Sequence, residues 1–91
     1  MKYFKFDDGT DGFTCEDLNE ILKHEKGIMW VYEDDEFYYI RPELSCNYDN
    51  TMYKVNKKTN NAEYLDHIQF MMNTMDNARE LDTKEFLKRV S

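Results

Sequence analysis

Two short runs rich in aromatic and β-branched residues, Ile28 to Tyr32 and Phe37 to Arg41, flank four consecutive acids, Glu33-Asp34-Asp35-Glu36. Such residues fit a pleated sheet, and the polar interval between them reads as a hairpin loop. With Asp34 and Asp35 at the tip, Tyr32 faces Phe37 and Glu33 faces Glu36. The alternation of a strand then puts Ile28, Trp30, Tyr32, Phe37, Tyr39 and Arg41 on one face, and Met29, Val31, Tyr38 and Ile40 on the other. Facing like charges are unfavourable, so the tip is expected to be well solvated or put to use. Both faces are apolar enough to need cover, and a chain of 91 residues has few elements with which to cover two.

The rest of the chain supplies the partners. Residues 2–6 alternate and predict a short strand. A turn-rich loop, 7–12, follows. Thr14 is placed to cap a helix over 15–26, with Glu16 and Asp17 in its first turn, Leu18, Ile21 and Leu22 as its stripe, and Gly27 as the residue that ends it. Pro42 is expected to end the second hairpin strand, and 43–50 to be a polar loop. Strands are predicted over 51–55 and 62–65, joined by a turn at 56–61. Asp66 with Gln69 resembles a capping box for a helix over 67–76, in which Ile68, Met71, Met72 and Met75 recur at helical spacing, the methionines as core filler. Asp82 with Glu85 caps a last helix with Phe86, Leu87 and Val90 inward. The order β-α-β-β-β-β-α-α, with short connections, implies antiparallel pairing. The fold class is α+β: a small antiparallel sheet of about five strands with helices on one face, as a single domain over 1–91.

Composition narrows the function. Twelve Lys and Arg against 19 Asp and Glu give a net charge of -7, which opposes direct binding to nucleic acid or to an anionic membrane. No apolar run approaches the roughly 20 residues of a membrane span, and the start lacks the apolar stretch of a signal peptide. A cytoplasmic location is expected, with Cys15 and Cys46 as free thiols. Aromatics at 15% supply enough burial for a folded domain despite the charge.

The motifs of chemistry are thin. Asp7, Asp11 and Gly12 match three places of a calcium loop, but Gly9 and Leu18 stand where ligands are required. Cys15, His24, Cys46 and His67 lack the close spacing of a zinc site. The serines, Ser45 and Ser91, sit in no nucleophile motif. Cys15 reads as a small buried residue, since Glu16 and Asp17 oppose a thiolate. Lysines 54, 57 and 58, and 84, 88 and Arg89, form two basic clusters, read as edge protection and helix-end charge. No cofactor, metal or enzymatic activity is expected.

The acidic aromatic hairpin remains the strongest signal. Its residues Trp30, Tyr32, Glu33, Asp34, Asp35, Glu36, Phe37 and Tyr39 are the candidate partner-binding set, because rings with a polar rim are the usual make-up of interaction hot spots and acids steer basic partners. The simpler reading makes the rings an aromatic core on one side of the sheet, with helices on the other and a solvated tip. In size and charge the chain resembles small phage or mobile-element inhibitors, such as anti-restriction and anti-CRISPR proteins, and toxin-neutralising immunity proteins. The charge itself leads to an expected protein partner with a basic, nucleic-acid-binding surface, on which the acids, with Asp7, Asp8 and Asp11, would stand in for phosphates. The alternative is a self-associating module whose aromatic face closes a homodimer.

Overall fold

The structure, a computed structural model, describes residues 1–45 and 47–91. Cys46, the second expected thiol, lies outside the described residues. The chain runs β1 (Lys2–Lys5), β2 (Asp11–Thr14), α1 (Leu18–His24), β3 (Lys26–Glu33), β4 (Phe37–Leu44), β5 (Thr51–Asn56), β6 (Ala62–Asp66), α2 (His67–Asn73), a 3-10 turn (Met75–Asn77), β7 (Arg79–Leu81) and α3 (Thr83–Val90). The fold is α+β, with an antiparallel five-stranded sheet in the order β6-β5-β4-β3-β7 and a separate pair, β1-β2.

Alternation along the strands sorts the core into two layers. Val31, Ile40, Tyr53 and Val55 point to one face, where Leu18 and Ile21 of α1 and Phe86 of α3 cover them. Tyr39 and Met52 point to the other, where Phe70 of α2 lies on them and Trp30, Tyr32, Phe37 and Leu65 border it. Helices α1 and α3 thus cover one face as expected, whereas α2, expected beside them, lies across the opposite one. With seven residues, α2 contributes a single fully buried side chain, Phe70.

Several local expectations change. The N-terminal strand pairs with β2, a strand its sequence does not advertise, and not with the main sheet; the fifth main strand is β7. Because Thr14 belongs to β2, α1 starts later. Asp17 is its cap, accepting the Glu20 N–H at 2.8 Å. Gly27 has the positive φ expected of it, 79°, but within β3, beyond the C-cap residue Glu25. Pro42 does not end β4, which runs on to Leu44. Pairing of β4 with β5 stops at Ile40, so Pro42 sits where β4 has one neighbour and a missing N–H is tolerated.

The hairpin register differs by two residues. Tyr32 pairs with Tyr39 and Glu33 with Tyr38, so Glu33 ends β3, the other three acids form the loop, and Glu33 does not face Glu36. A shift of two preserves the faces. The exception is Ile28: an irregularity between Ile28 and Trp30 adds a residue to β3, and Ile28 joins the layer of Val31 and Ile40. A bulge flips what precedes it.

Candidate interaction surface

The eight residues of the acidic hairpin are divided between different places. Trp30, Tyr32 and Tyr39 gather around Phe70, with ring centroids 5.8, 5.5 and 5.1 Å from it. Tyr39 is buried, and its hydroxyl donates to Asp34 Oδ2 at 2.7 Å. Phe37 is half-buried under the Lys54 ammonium, which stands 4.1 Å from the ring centroid. Trp30 and Tyr32 are half-buried and meet edge to face at 5.1 Å.

The acids are spread further. Glu33 points to the opposite face and is buried. Its carboxylate accepts from Lys57 Nζ at 2.8 Å and from Arg89 Nη1 at 3.0 and 3.2 Å. Burial disfavours its charge, but Lys57 and then Arg89 outweigh that and hold its pKa below the ordinary value. Asp34 Oδ1 accepts the N–H groups of Glu36 and Phe37 at 2.9 and 2.8 Å and shapes the loop. Asp35 and Glu36 are exposed, with Arg79 3.7 Å from Asp35. Two of the four acids therefore build the hairpin, and two face solvent.

What the hairpin rings border is a groove formed with α2. Trp30, Tyr32, His67, Met71, Met75 and Glu80 line a concavity of about 280 Å³. Tyr32 and Glu80 are cross-strand partners in β3 and β7, which puts the carboxylate beside the ring. His67 lies 5.5 Å from Trp30, centroid to centroid. Burial, then the charge of Arg41, lower its pKa, which favours the neutral imidazole. The stripe that the spacing of α2 assigned to the core is largely outside: Ile68, Met71 and Met72 are 52, 51 and 72% exposed. Met29, at the irregularity in β3, is exposed as well.

Sequence reasoning placed His67 at the surface but did not bring it, Met71, Met75 or Glu80 to the hairpin rings, and it assigned Met71 to the core. One signal was present. Phe70 stands outside the stripe of 68, 71, 72 and 75, and on so short a helix only one side can be buried. The larger aromatic took it.

The other candidate chemistries have simpler settings. Asp8 is tied into its own turn, accepting the Thr10 N–H and hydroxyl at 2.9 and 2.6 Å, and Asp11 pairs with Lys5 at 2.6 Å. Among the described residues no three Asp, Glu, His or Cys side chains converge as metal ligands. Cys15 is fully buried, and burial pushes its thiol up to about 11. Of the basic clusters, Lys57 and Arg89 are engaged by Glu33. No helix among the described residues is long and apolar enough to cross a membrane. Comparison with protein-family models, with curated proteins and with solved structures finds no match.

Proposed function

We propose that this protein acts by binding another protein and covering a basic surface of it, with no chemistry of its own. The observation that carries this reading is the open apolar face of α2 and β3. Met71 lines the groove with the half-covered Trp30 and Tyr32, and Ile68 and Met72 on the same helix stand in solvent, on a chain of net charge -7. Adaptable methionines next to aromatic anchors suit a partner surface. An acidic field speeds encounter with a basic one. The exposed Asp35 and Glu36 extend that field at the hairpin tip.

The finer form of the proposal is an inhibitor of the phage or mobile-element kind, working in the cytoplasm on a nucleic-acid-binding protein. Capture from host lysate under graded salt, followed by competition with nucleic acid for the captured partner, tests it. The partner is expected to hold either nucleic acid or this protein. A partner that holds both at once, or no retention at low salt, contradicts the reading. Self-association through the same face is separated by light scattering over a concentration series, where a monomer at every concentration is expected.

A further inference from the structure

The groove between α2 and the sheet has one charged residue in its lining, Glu80, among two aromatic rings, two methionines and an imidazole. Its volume of about 280 Å³ lies at the small end of ligand pockets, which run from roughly 300 to 1,000 Å³. That is room for a side chain or two. A purely apolar plug would cover the Glu80 carboxylate without pairing it, which is costly. A cation with an apolar stem meets both demands at once. Its stem lies along the methionines, and its head meets the ring faces and the carboxylate.

α2 itself, HIQFMMN, has no Lys, Arg, Asp or Glu. The nearest charges along the chain on either side of it are Asp66 and Asp76, both acidic; beyond Asp76 come Arg79, which leans towards Glu33 and Asp35, and the groove's Glu80, while the charge of Arg41 reaches His67. The chain's own arginines are occupied elsewhere. Arg41 donates to the Thr51 and Asp49 carbonyls at 2.8 and 2.7 Å. Arg79 lies near Glu33 and Asp35, and Arg89 is bound to Glu33. Arg41 and Arg89 are thus held at short distance within the chain, and a second copy would bring its own acids, Asp66, Asp76 and Glu80, against these.

We infer that the groove seats an arginine side chain from a basic segment of a different protein, stacked on Trp30 and Tyr32 and paired with Glu80. Arginine suits the site better than lysine because its guanidinium is planar, weakly hydrated and stacks on rings. This rests on the binding function proposed above and names the chemistry that its apolar face recognises.

The test uses the full chain and three versions of one amphipathic peptide, carrying arginine, lysine or citrulline at the same positions. Citrulline keeps the shape of arginine without the charge. Trp30, the single tryptophan, reports by its emission, and amide chemical shifts locate the contact. The arginine peptide is expected to bind best, to shift Trp30 and α2, and to lose about tenfold in affinity on Glu80→Gln, as removal of a charge-assisted pair does. Glu80 is exposed, so this variant keeps the fold. Equal binding of the citrulline peptide overturns the arginine seat and leaves the binding function standing. Shifts confined to Asp35 and Glu36 do the same. If no peptide binds, the arginine seat fails, and capture from lysate decides the binding function separately.

Discussion

Asp34 and Tyr39 are joined by a 2.7 Å hydrogen bond from the phenol hydroxyl to Oδ2, across the neck of the β3–β4 hairpin. The other carboxylate oxygen accepts two backbone N–H groups of the loop, from Glu36 and Phe37. One side chain thus shapes the loop and satisfies a hydroxyl on a buried tyrosine. Burial, and then this bond, push the Tyr39 phenol above its ordinary pKa, so it remains a donor.

Asp34→Ala is expected to destabilise by about 1–3 kcal/mol, because it strands a hydroxyl and two N–H groups. Tyr39→Phe, which removes the hydroxyl, leaves the loop bonds and costs less. Urea unfolding of the two variants checks the order. Equal and negligible losses would show that the contact contributes nothing.

Glu33 makes a second anchor, tying the hairpin to Lys57 and to Arg89 of α3. The double change Lys57→Met with Arg89→Met leaves the buried carboxylate with Arg79, 3.9 Å away and largely exposed, and is expected to cost about 3–5 kcal/mol at pH 7. The pH dependence follows from the direction of the shift. The folded-state pKa lies below the unfolded one, so the pair's contribution is complete above about 4.3, the ordinary Glu value. It fades as pH falls through the folded-state pKa. The double variant should lose that acid-side decline, as seen by melting temperature against pH. A wild-type slope in the variant would assign the decline to other groups.

Phe70 is the one fully buried side chain of α2 and touches Trp30, Tyr32 and Tyr39. Phe70→Ala is expected to cost about 3–5 kcal/mol and to free α2 from the sheet. Hydrogen exchange should rise over His67–Asn73 first. Unchanged protection there would mean that the helix is held by something other than this ring.

Cys15 is placed for structure. Its backbone N–H donates to the Tyr53 hydroxyl at 3.3 Å, and that hydroxyl donates to Glu25 at 3.3 Å. With its thiol raised to about 11, it should stay unalkylated in the native protein at pH 8. Mass mapping of iodoacetamide adducts reads this directly. Rapid labelling at Cys15 would argue for a reactive thiol instead.

The sequence made the α+β class and the hairpin legible, because alternation is strong in 28–32 and 37–41. It also made the Asp66 and Asp82 caps legible: both accept N–H groups of their helices. Asp11–Thr14 and Arg79–Leu81 were not legible as strands. Each is three or four residues long and owes its form to a neighbour's free edge, which local composition does not encode. The candidate surface was half legible. Trp30 and Tyr32 were marked by their rings. The roles of Glu33 and Asp34 depend on Arg89 and Tyr39, and that depends on which way the register falls. Met71 was assigned inward because a stripe shows only that one side of a helix is apolar. It does not show that a larger neighbour, Phe70, has taken the buried side.

Brief hydroxyl-radical or peroxide oxidation, read methionine by methionine, reports on the open face of α2. Met52, fully buried, serves as the internal reference. In the free monomer Met71 and Met72 should oxidise quickly and Met52 slowly. Bound to the arginine peptide, Met71 should become protected while the exposed Met29, outside the groove lining, changes less. Met71 and Met72 as slow as Met52 in the free monomer, or Met71 equally fast with the peptide bound, would contradict the account.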